Sequence, residues 1–563
     1  MREILILQTA RLGDLAQTVP ALRGLRRAHP EARLTLLAQP GPSALLEGAS
    51  LFDRLVAVPY EAIQALEAPG RGDARPDAGP LSVEPALRET YDLLVNVSND
   101  LGSAILCRHI AAGRKLGRIH TFDGEIRLLG DWSKYLYAMV AHRRENLFNL
   151  VDIQAGMAGL RLRPETVPLP VGEAARGEAR QMLAAAGLGP GRKSGGARPL
   201  IALQAGASAG HRAWDLGHFA ALGAALARDP GADLIVLGDP GERERCGELA
   251  AKLARGGEGA GPGYADAASP GRGSIANLAG RTTLRQLHAL LGECDLLISN
   301  DTGPVHVAAA AGTATLGLFF STAHYAETAP YGAGHAVLQV EIPCSPCDAS
   351  SVCPVQKCRA HLPPEPAIDV ARWLISGASE DAVPATGPGL SLYRSRFLSD
   401  GSLAYLPARA GEASPHFQEA LLGRLLWQDA LGLGGDSALE DLAGRLRALD
   451  TFRSRREALA AAFAALEETV RRGRDLAAGL REEFASGEPV RERILGLHGG
   501  LAALGASLAA AARPAGLCGT FLNFEMMDMD YVGYPDLAGV LEGKYRRLET
   551  WLGRFRAALD RLA

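Results

Sequence analysis

Short apolar runs alternating with helix-spaced segments confine the first two thirds of this chain to parallel, doubly wound sheets, and the alternation starts twice. Residues 3–8 (EILILQ) read as a strand. Leu15, Val19, Leu22 and Leu25 then recur at helical spacing until Pro30 stops them, and Arg33–Ala38 is the next strand. LFDRLVAVP (51–59) and YDLLVNVS (91–98) add two more, on either side of a Gly/Pro/Ala/Asp-rich insertion from about Ala68 to Pro80. After a Gly-rich linker around Gly187–Gly196 the pattern begins again with PLIALQAG, FAALGAALARD, ADLIVLGDPG and ERCGELAAKLA. It runs on through SIANLAG, TLRQLHALLGEC, DLLISN, VHVAAAAG, ATLGLFF and AIDVARWLISG. The expected architecture is α/β: a Rossmann-like domain over 1–170, a second over 171–384, and an α-helical extension over 385–563. Such sheets bind ligands at the carboxyl ends of their strands, so two of them facing one cleft suit a ligand shared between two halves.

The helical extension is read from long Leu/Ala/Arg/Glu segments such as HFQEALLGRLLWQDALG, SALEDLAGRLRALD and RREALAAAFAALEETVRRGRDLAAGLREEF. Their amphipathic pattern favours a bundle or a partner surface, and none has the spacing of a catalytic set. FLNFEMMDMDYVGYPDL (521–537) is read as core or interface packing. With 563 residues the chain has room for two or three cores. A hydrophobic share of 47% with 22% charged residues is that of a globular protein, and a formal charge of −4 supplies no global basic field for nucleic acid. The apolar stretch in MREILILQTA is short for a signal segment, and no run approaches the length of a membrane span, so a cytoplasmic protein is expected.

Two strings carry chemistry. In ILILQTARLGDLAQTVPAL, Gly13 permits a tight turn and Asp14 falls where the helix should start. Asp14 is either a helix N-cap or a general base facing the cleft, with Arg11 beside it to hold an anionic acceptor. In DLLISNDTGPVHVAAAAG, a buried strand runs into Asn300-Asp301-Thr302-Gly303 and a small-residue helix. A helix N-terminus after a glycine turn offers free amides and a positive dipole end to phosphate. Asp301 can accept from sugar hydroxyls, the Thr302 and Gly303 amides can take a diphosphate, and His306 in the first turn adds a donor. A capped helix with a core-facing histidine is the alternative. No G-x-G-x-x-G follows the first strand, which argues against a nicotinamide dehydrogenase.

These strings, with LQAGASAGHRAWDLGHF, VLGDPGE, NLAGRTTLRQLHALL and PYGAGH in order between and after them, resemble the ADP-heptose:lipopolysaccharide heptosyltransferases of glycosyltransferase family 9 over about residues 1–375. The resemblance implies a GT-B fold, with an acceptor domain first and a nucleotide-sugar donor domain second. It implies a bacterial inverting enzyme in which Asp14 is the catalytic base, while Asp301, Thr302, Gly303 and His306 bind the donor and Glu242 takes the adenosine ribose. Arg212 stands where relatives usually carry Lys, keeping a positive charge that can grip a diphosphate bidentately. Asp215 replaces a Pro, and Phe320-Ser321-Thr322 replaces a Gly-Pro-Thr. Charge on the departing ADP would be met by Arg212, His306 and the helix after Asp301, with no cofactor required for catalysis. The implied partners are an ADP-sugar and a glycan or lipid-linked acceptor, with peripheral association at the cytoplasmic face of the inner membrane. A protein heptosyltransferase and a non-catalytic sugar-nucleotide-binding assembly protein are the alternatives.

Cys344, Cys347, Cys353 and Cys358 form a C-x2-C-x5-C-x4-C cluster that could close a structural zinc or iron site or stay a loop of reduced thiols. A branch of the resembled family that glycosylates autotransporter proteins uses such a motif for iron. Cys107, Cys246, Cys294 and Cys518 read as packing residues. Arg114, Lys115, Arg118, Arg143 and Arg144 are ordinary surface charges or an acceptor-side patch.

Overall fold

The computed structural model describes residues 2–67, 84–161 apart from 123, 141 and 142, 169–255 apart from 208 and 209, 273–347, 353, 355–409 apart from 378, 380 and 381, scattered positions between 414 and 433, 452–485 and 534–561. The Ala68–Pro80 insertion, the segment 437–450, Cys518 and nearly all of 521–537 lie outside them. The chain divides into two compact units, Met1–Ser133 with Phe148–Glu412, and Lys134–Leu147 with Ala413–Ala563.

The first unit holds both sheets. Strands β1 (Glu3–Gln8), β2 (Arg33–Ala38), β3 (Arg54–Ala57), β4 (Thr90–Asn96), β5 (Ala111–His120) and β6 (Ile126–Leu129) form a six-stranded sheet in the order β3-β2-β1-β4-β5-β6. All its pairs are parallel except β5–β6. Strands β7 (Leu200–Gln204), β8 (Asp233–Leu237), β9 (Ile275–Asn277), β10 (Leu296–Asn300), β11 (Ala314–Phe319), β12 (Ala336–Val340), β13 (Leu390–Phe397) and β14 (Leu403–Pro407) form the second, in the order β14-β13-β12-β11-β10-β7-β8-β9. This is the expected GT-B arrangement of two doubly wound sheets. In each, the chain leaves the first strand and reverses direction across the sheet, so β1 and β4, and likewise β7 and β10, flank a topological switch point where the following loops diverge and leave a crevice.

The sequence boundary at 385 needs moving. Residues 390–407 were expected in helices, yet they form β13 and β14, which add antiparallel to β12 and extend the donor sheet. Alternating burial along β13 and full burial of Leu403–Leu406 explain why: one side of this ribbon closes the core that holds Ile368 and Trp373.

Helix α1 (Leu12–Ala28) follows β1, and α2 (Gly303–Ala310) follows β10. Leu15, Val19 and Leu22 of α1 share one apolar cluster with Val305, Val307 and Ala308 of α2, so the helices that begin the two site strings are packed into a common core. The second unit contains the long helices α3 (Phe452–Ala485) and α4 (Tyr534–Arg561), which pack together through Leu466, Val470, Ala477 and Leu480 on one and Leu541, Tyr545, Leu548 and Leu552 on the other. A Cβ on Gly473 would overlap the Tyr545 ring, which lets the helices approach closely there. Among the described residues no helix is long and apolar enough to cross a membrane.

Candidate active site

A cavity of about 510 Å³ opens within the first unit between the carboxyl ends of the two sheets. Its lining includes Arg11, Asp14, Arg212, Glu242, Asp301, Thr302, Gly303 and His306, so all the residues singled out for catalysis and for donor or acceptor binding face one space.

Asp14 is not the N-cap of α1. That position is Arg11, whose side chain makes no capping bond, and Asp14 sits three residues on, in the first turn. The carboxylate is half-buried. Burial pushes its pKa up, against the amides of Arg11 and Asp14 and the Arg11 charge, all of which favour the ionised form. A carboxylate with raised proton affinity at a cavity wall fits a proton acceptor, although its bonds to the helix amides also help to close the helix end.

Gly13 answers to a close approach rather than to a turn. A Cβ there would lie 3.1 Å from His306 Cδ2 and 3.5 Å from the Gly303 Cα. The start of α1 therefore rests directly on the start of α2. Thr302 is the N-cap of α2 but makes no side-chain capping bond, its hydroxyl lying 3.1 Å from Ser299 Oγ instead. Two helix N-termini whose N-cap side chains make no capping bond thus meet at the cavity, and their dipoles make it attractive to an anion.

Asp301 is buried, and its Oδ2 is 3.5 Å from Arg212 Nη1. Arg212 Nε donates to Thr322 Oγ1 at 2.7 Å, so the guanidinium is held by both a carboxylate and a hydroxyl. The loop carrying it is built by Asn300, which sequence reasoning treated only as part of a string. Asn300 Nδ2 donates to the carbonyls of Ala205 and Gly206, and its Oδ1 accepts from the Trp214 amide. Trp214 Nε1 donates to the Leu362 carbonyl, anchoring the far end of that loop. The departures from the family pattern have local explanations. Asp215 caps the next helix by accepting from the Gly217 amide, and Phe320 is buried in the second sheet's core.

His306 is buried, and that burial, with a smaller effect from His335, lowers its pKa to about 3. The ring is therefore neutral near pH 7, able to donate or accept a hydrogen bond but carrying no charge. Its Nδ1 has no partner. Glu242 closes a capping box with Asp239, and its Oε2 accepts from the Asp239 amide and from Gln204 Nε2, each at 3.0 Å. A Cβ on Gly206 would overlap Glu242 Oε1, so a larger residue there would displace the carboxylate from this position. Leu237, Pro240, Thr283, Leu284 and Leu287 continue the wall beside Glu242 as an apolar surface suited to a planar base.

Of the four clustered cysteines, Cys344 and Cys353 lie near enough to Cys358 to help raise its thiol pKa, after the larger effect of burial. All four are described, and no group of His, Cys, Asp or Glu able to hold a metal ion forms among the described residues. Cys344 is exposed while Cys358 is buried; Cys347 Sγ donates to the Cys344 carbonyl and Cys353 Sγ accepts from the Gln356 amide. The thiols are thus engaged by their own loops. Of the basic residues, Arg114, Lys115 and Arg118 lie in the first unit, and Arg143 and Arg144 in the second. Lys115 Nζ and Arg118 Nη1 donate to the carbonyls of Cys107 and Asn99.

Residues 81–358 match the description "Glycosyltransferase family 9 (heptosyltransferase)". That range contains Arg212, Glu242, Asp301, Thr302, Gly303 and His306, whereas Arg11 and Asp14 precede it. The chain is 28% identical over 186 residues to "Lipooligosaccharide heptosyltransferase 2" of Campylobacter jejuni, a match covering 32% of this chain and 52% of that protein. It is 46% identical over 55 residues to "Lipopolysaccharide core heptosyltransferase OpsX" of Haemophilus influenzae, covering 10% and 16%. The chain thus spans about half the length, or less, of these curated relatives. It is also similar to the crystal structure of the glycosyl transferase family 9 from Veillonella parvula, at 17% identity and a TM-score of 0.48, covering 67% of this chain and 98% of that one.

Proposed function

We propose, from the match of residues 81–358 to glycosyltransferase family 9, that this chain is an inverting glycosyltransferase moving a heptose from ADP-heptose to a lipopolysaccharide core or related glycan acceptor. The observation that carries the proposal is the single cavity, in which a half-buried carboxylate from the first sheet faces an arginine, a buried aspartate and a helix end without a side-chain cap from the second. The names of the Campylobacter and Haemophilus relatives support the acceptor class. Such an acceptor is lipid-linked and would be met at the cytoplasmic face of the inner membrane.

In this reading Asp14 takes the proton of an acceptor hydroxyl as that oxygen attacks the anomeric carbon. The bond to the diphosphate breaks on the opposite face, and its electron pair leaves with ADP. Arg212 and the amides at the start of α2 receive the growing negative charge, in positions fixed before the reaction begins. Neutral His306 offers a ring N–H, Asp301 holds Arg212 and sugar hydroxyls, and Glu242 faces the ribose. The protein's own charges meet the leaving group, so no step is assigned to a metal. The test is ADP release from ADP-heptose with a heptose-free lipopolysaccharide acceptor. Acceptor-dependent release by the native chain, lost in Asp14→Asn with ADP affinity retained, supports the reading. Absence of both binding and turnover with any nucleotide sugar overturns it.

A further inference from the structure

Gln17 is the one polar side chain of α1 beyond Asp14 that lines the cavity, and the mechanism leaves it without a task. It lies three residues after Asp14, and residues at that spacing share a helix face, so both residues line the same space. Gln17 is 5% exposed, yet its Nε2 has no hydrogen-bond partner. Its neighbours on the helix make the contrast plain. Thr18, one residue on, points into a satisfied network in which it accepts from Gln8 Nε2 and donates to Gln154 Oε1, each at 3.0 Å. An amide donor buried without a partner costs free energy in the unliganded protein, and such a cost persists where a ligand satisfies it.

We propose that Gln17 is an acceptor-positioning residue: its carboxamide donates to a hydroxyl of the acceptor sugar adjacent to the hydroxyl that Asp14 deprotonates. The inference rests on the transferase reading above. The choice of acceptor over donor follows from placement. Arg212, Glu242, Asp301, Thr302, Gly303 and His306 all come from the second sheet's loops and helices, whereas Gln17 stands on the first sheet's helix on the base's side. Leu150 lines the cavity there too, giving the acceptor ring an apolar surface beside the two polar groups. An amide that donates to one hydroxyl while a carboxylate accepts from its neighbour selects a vicinal diol, and so discriminates against acceptors lacking the second hydroxyl.

The experiment compares the native chain with Gln17→Ala and Gln17→Met in ADP release from ADP-heptose with the heptose-free lipopolysaccharide acceptor, alongside ADP binding and thermal melting. The expected result for both variants is an acceptor KM raised about tenfold, the value of one hydrogen bond, with donor KM and ADP affinity unchanged. Gln17→Met keeps the side chain's bulk and removes the unsatisfied amide, so it melts no lower than the native chain. A merely structural glutamine would instead lower the melting temperature in both variants and leave the acceptor KM alone. Unchanged acceptor KM in Gln17→Met overturns the assignment of Gln17 while leaving Asp14 and the transferase reading intact. Absence of transfer by the native chain overturns the reading on which the assignment rests, and the assignment with it.

Discussion

The turns after β1 and β10 are built alike and differ in chemistry. Each follows the central strand of a parallel sheet, carries a glycine where its helix begins, and leaves that helix without a side-chain cap. Each also supplies an aspartate to the same cavity. Asp14, however, has only helix amides and the exposed Arg11 in its favour, and burial outweighs them so that its proton affinity rises. Asp301 is more deeply buried but has the Arg212 guanidinium 3.5 Å away. The same local motif therefore yields a carboxylate of raised proton affinity in one place and an ion-paired one in the other, and the difference comes from the surroundings each turn meets.

The sharpest way to break this comparison is to neutralise each carboxylate. Asp14→Asn is expected to lower the single-turnover rate about a thousandfold, within the range for loss of a general base, while ADP affinity by calorimetry is unchanged. Asp301→Asn should act in the reverse sense, raising the donor KM with a smaller loss of rate. If both variants lose rate and affinity in the same proportion, the two aspartates do not divide the work in this way.

Next in size is the partner that makes Asp301 different. Arg212→Ala would remove the charge-assisted contact proposed for the diphosphate and leave the buried carboxylate without this guanidinium, so ADP affinity should fall by roughly 10- to 100-fold. Arg212→Lys restores a point charge without the planar fork and should lose only a few-fold. Equal damage from Lys and Ala would show that guanidinium geometry, rather than charge, is what the site requires.

A smaller effect comes from the contact between the turns. In Gly13→Ala the new methyl would sit 3.1 Å from His306 Cδ2, so His306 must shift by a few tenths of an ångström. The expected outcome is a several-fold fall in kcat and a stability loss of about 1 kcal/mol, at the low end for overpacking. Chemical denaturation together with steady-state kinetics measures both.

The two turns were legible in the sequence because a strand, a glycine and a helix in close succession leave few other foldings, and the motifs between them keep family order. What the sequence hid depends on three-dimensional context. Gly13 read as a turn former, but its reason is His306, which lies nearly three hundred residues away. Gln17 stands off the Leu15–Val19–Leu22–Leu25 stripe, so helical periodicity assigns it to the outer face, and nothing local shows that it is buried or that its amide lacks a partner. β5 (AAGRKLGRIH) escaped because it lacks an apolar run, its first residues being largely exposed. β13 and β14 escaped because they add antiparallel after a long helical stretch, where the β–α alternation no longer guides the eye.

The smallest expected effect bears most directly on why Asp14 differs from Asp301. A carboxyl whose pKa is raised by folding binds its proton more tightly in the native state, so it stabilises the fold below its unfolded pKa of about 3.9 and loses that contribution as pH rises through the native value. At pH 7 the ionised Asp14 is therefore a net cost to folding, with desolvation the main cause. Asn carries no charge and no such cost, so Asp14→Asn should melt a few degrees higher than the native chain at pH 7, with the gain shrinking as pH falls and vanishing near pH 3. The variant most damaged in activity is thus expected to be the more stable protein, as when an active site holds a group against its own stability. Asp301→Asn provides the contrast, since it gives up an ion pair with Arg212 and should melt lower at pH 7. Thermal melts of the two variants at pH 7 and pH 3 decide the matter. A lower melting temperature for Asp14→Asn at pH 7 would mean that its bonds to the α1 amides outweigh desolvation, making Asp14 first a helix-closing residue.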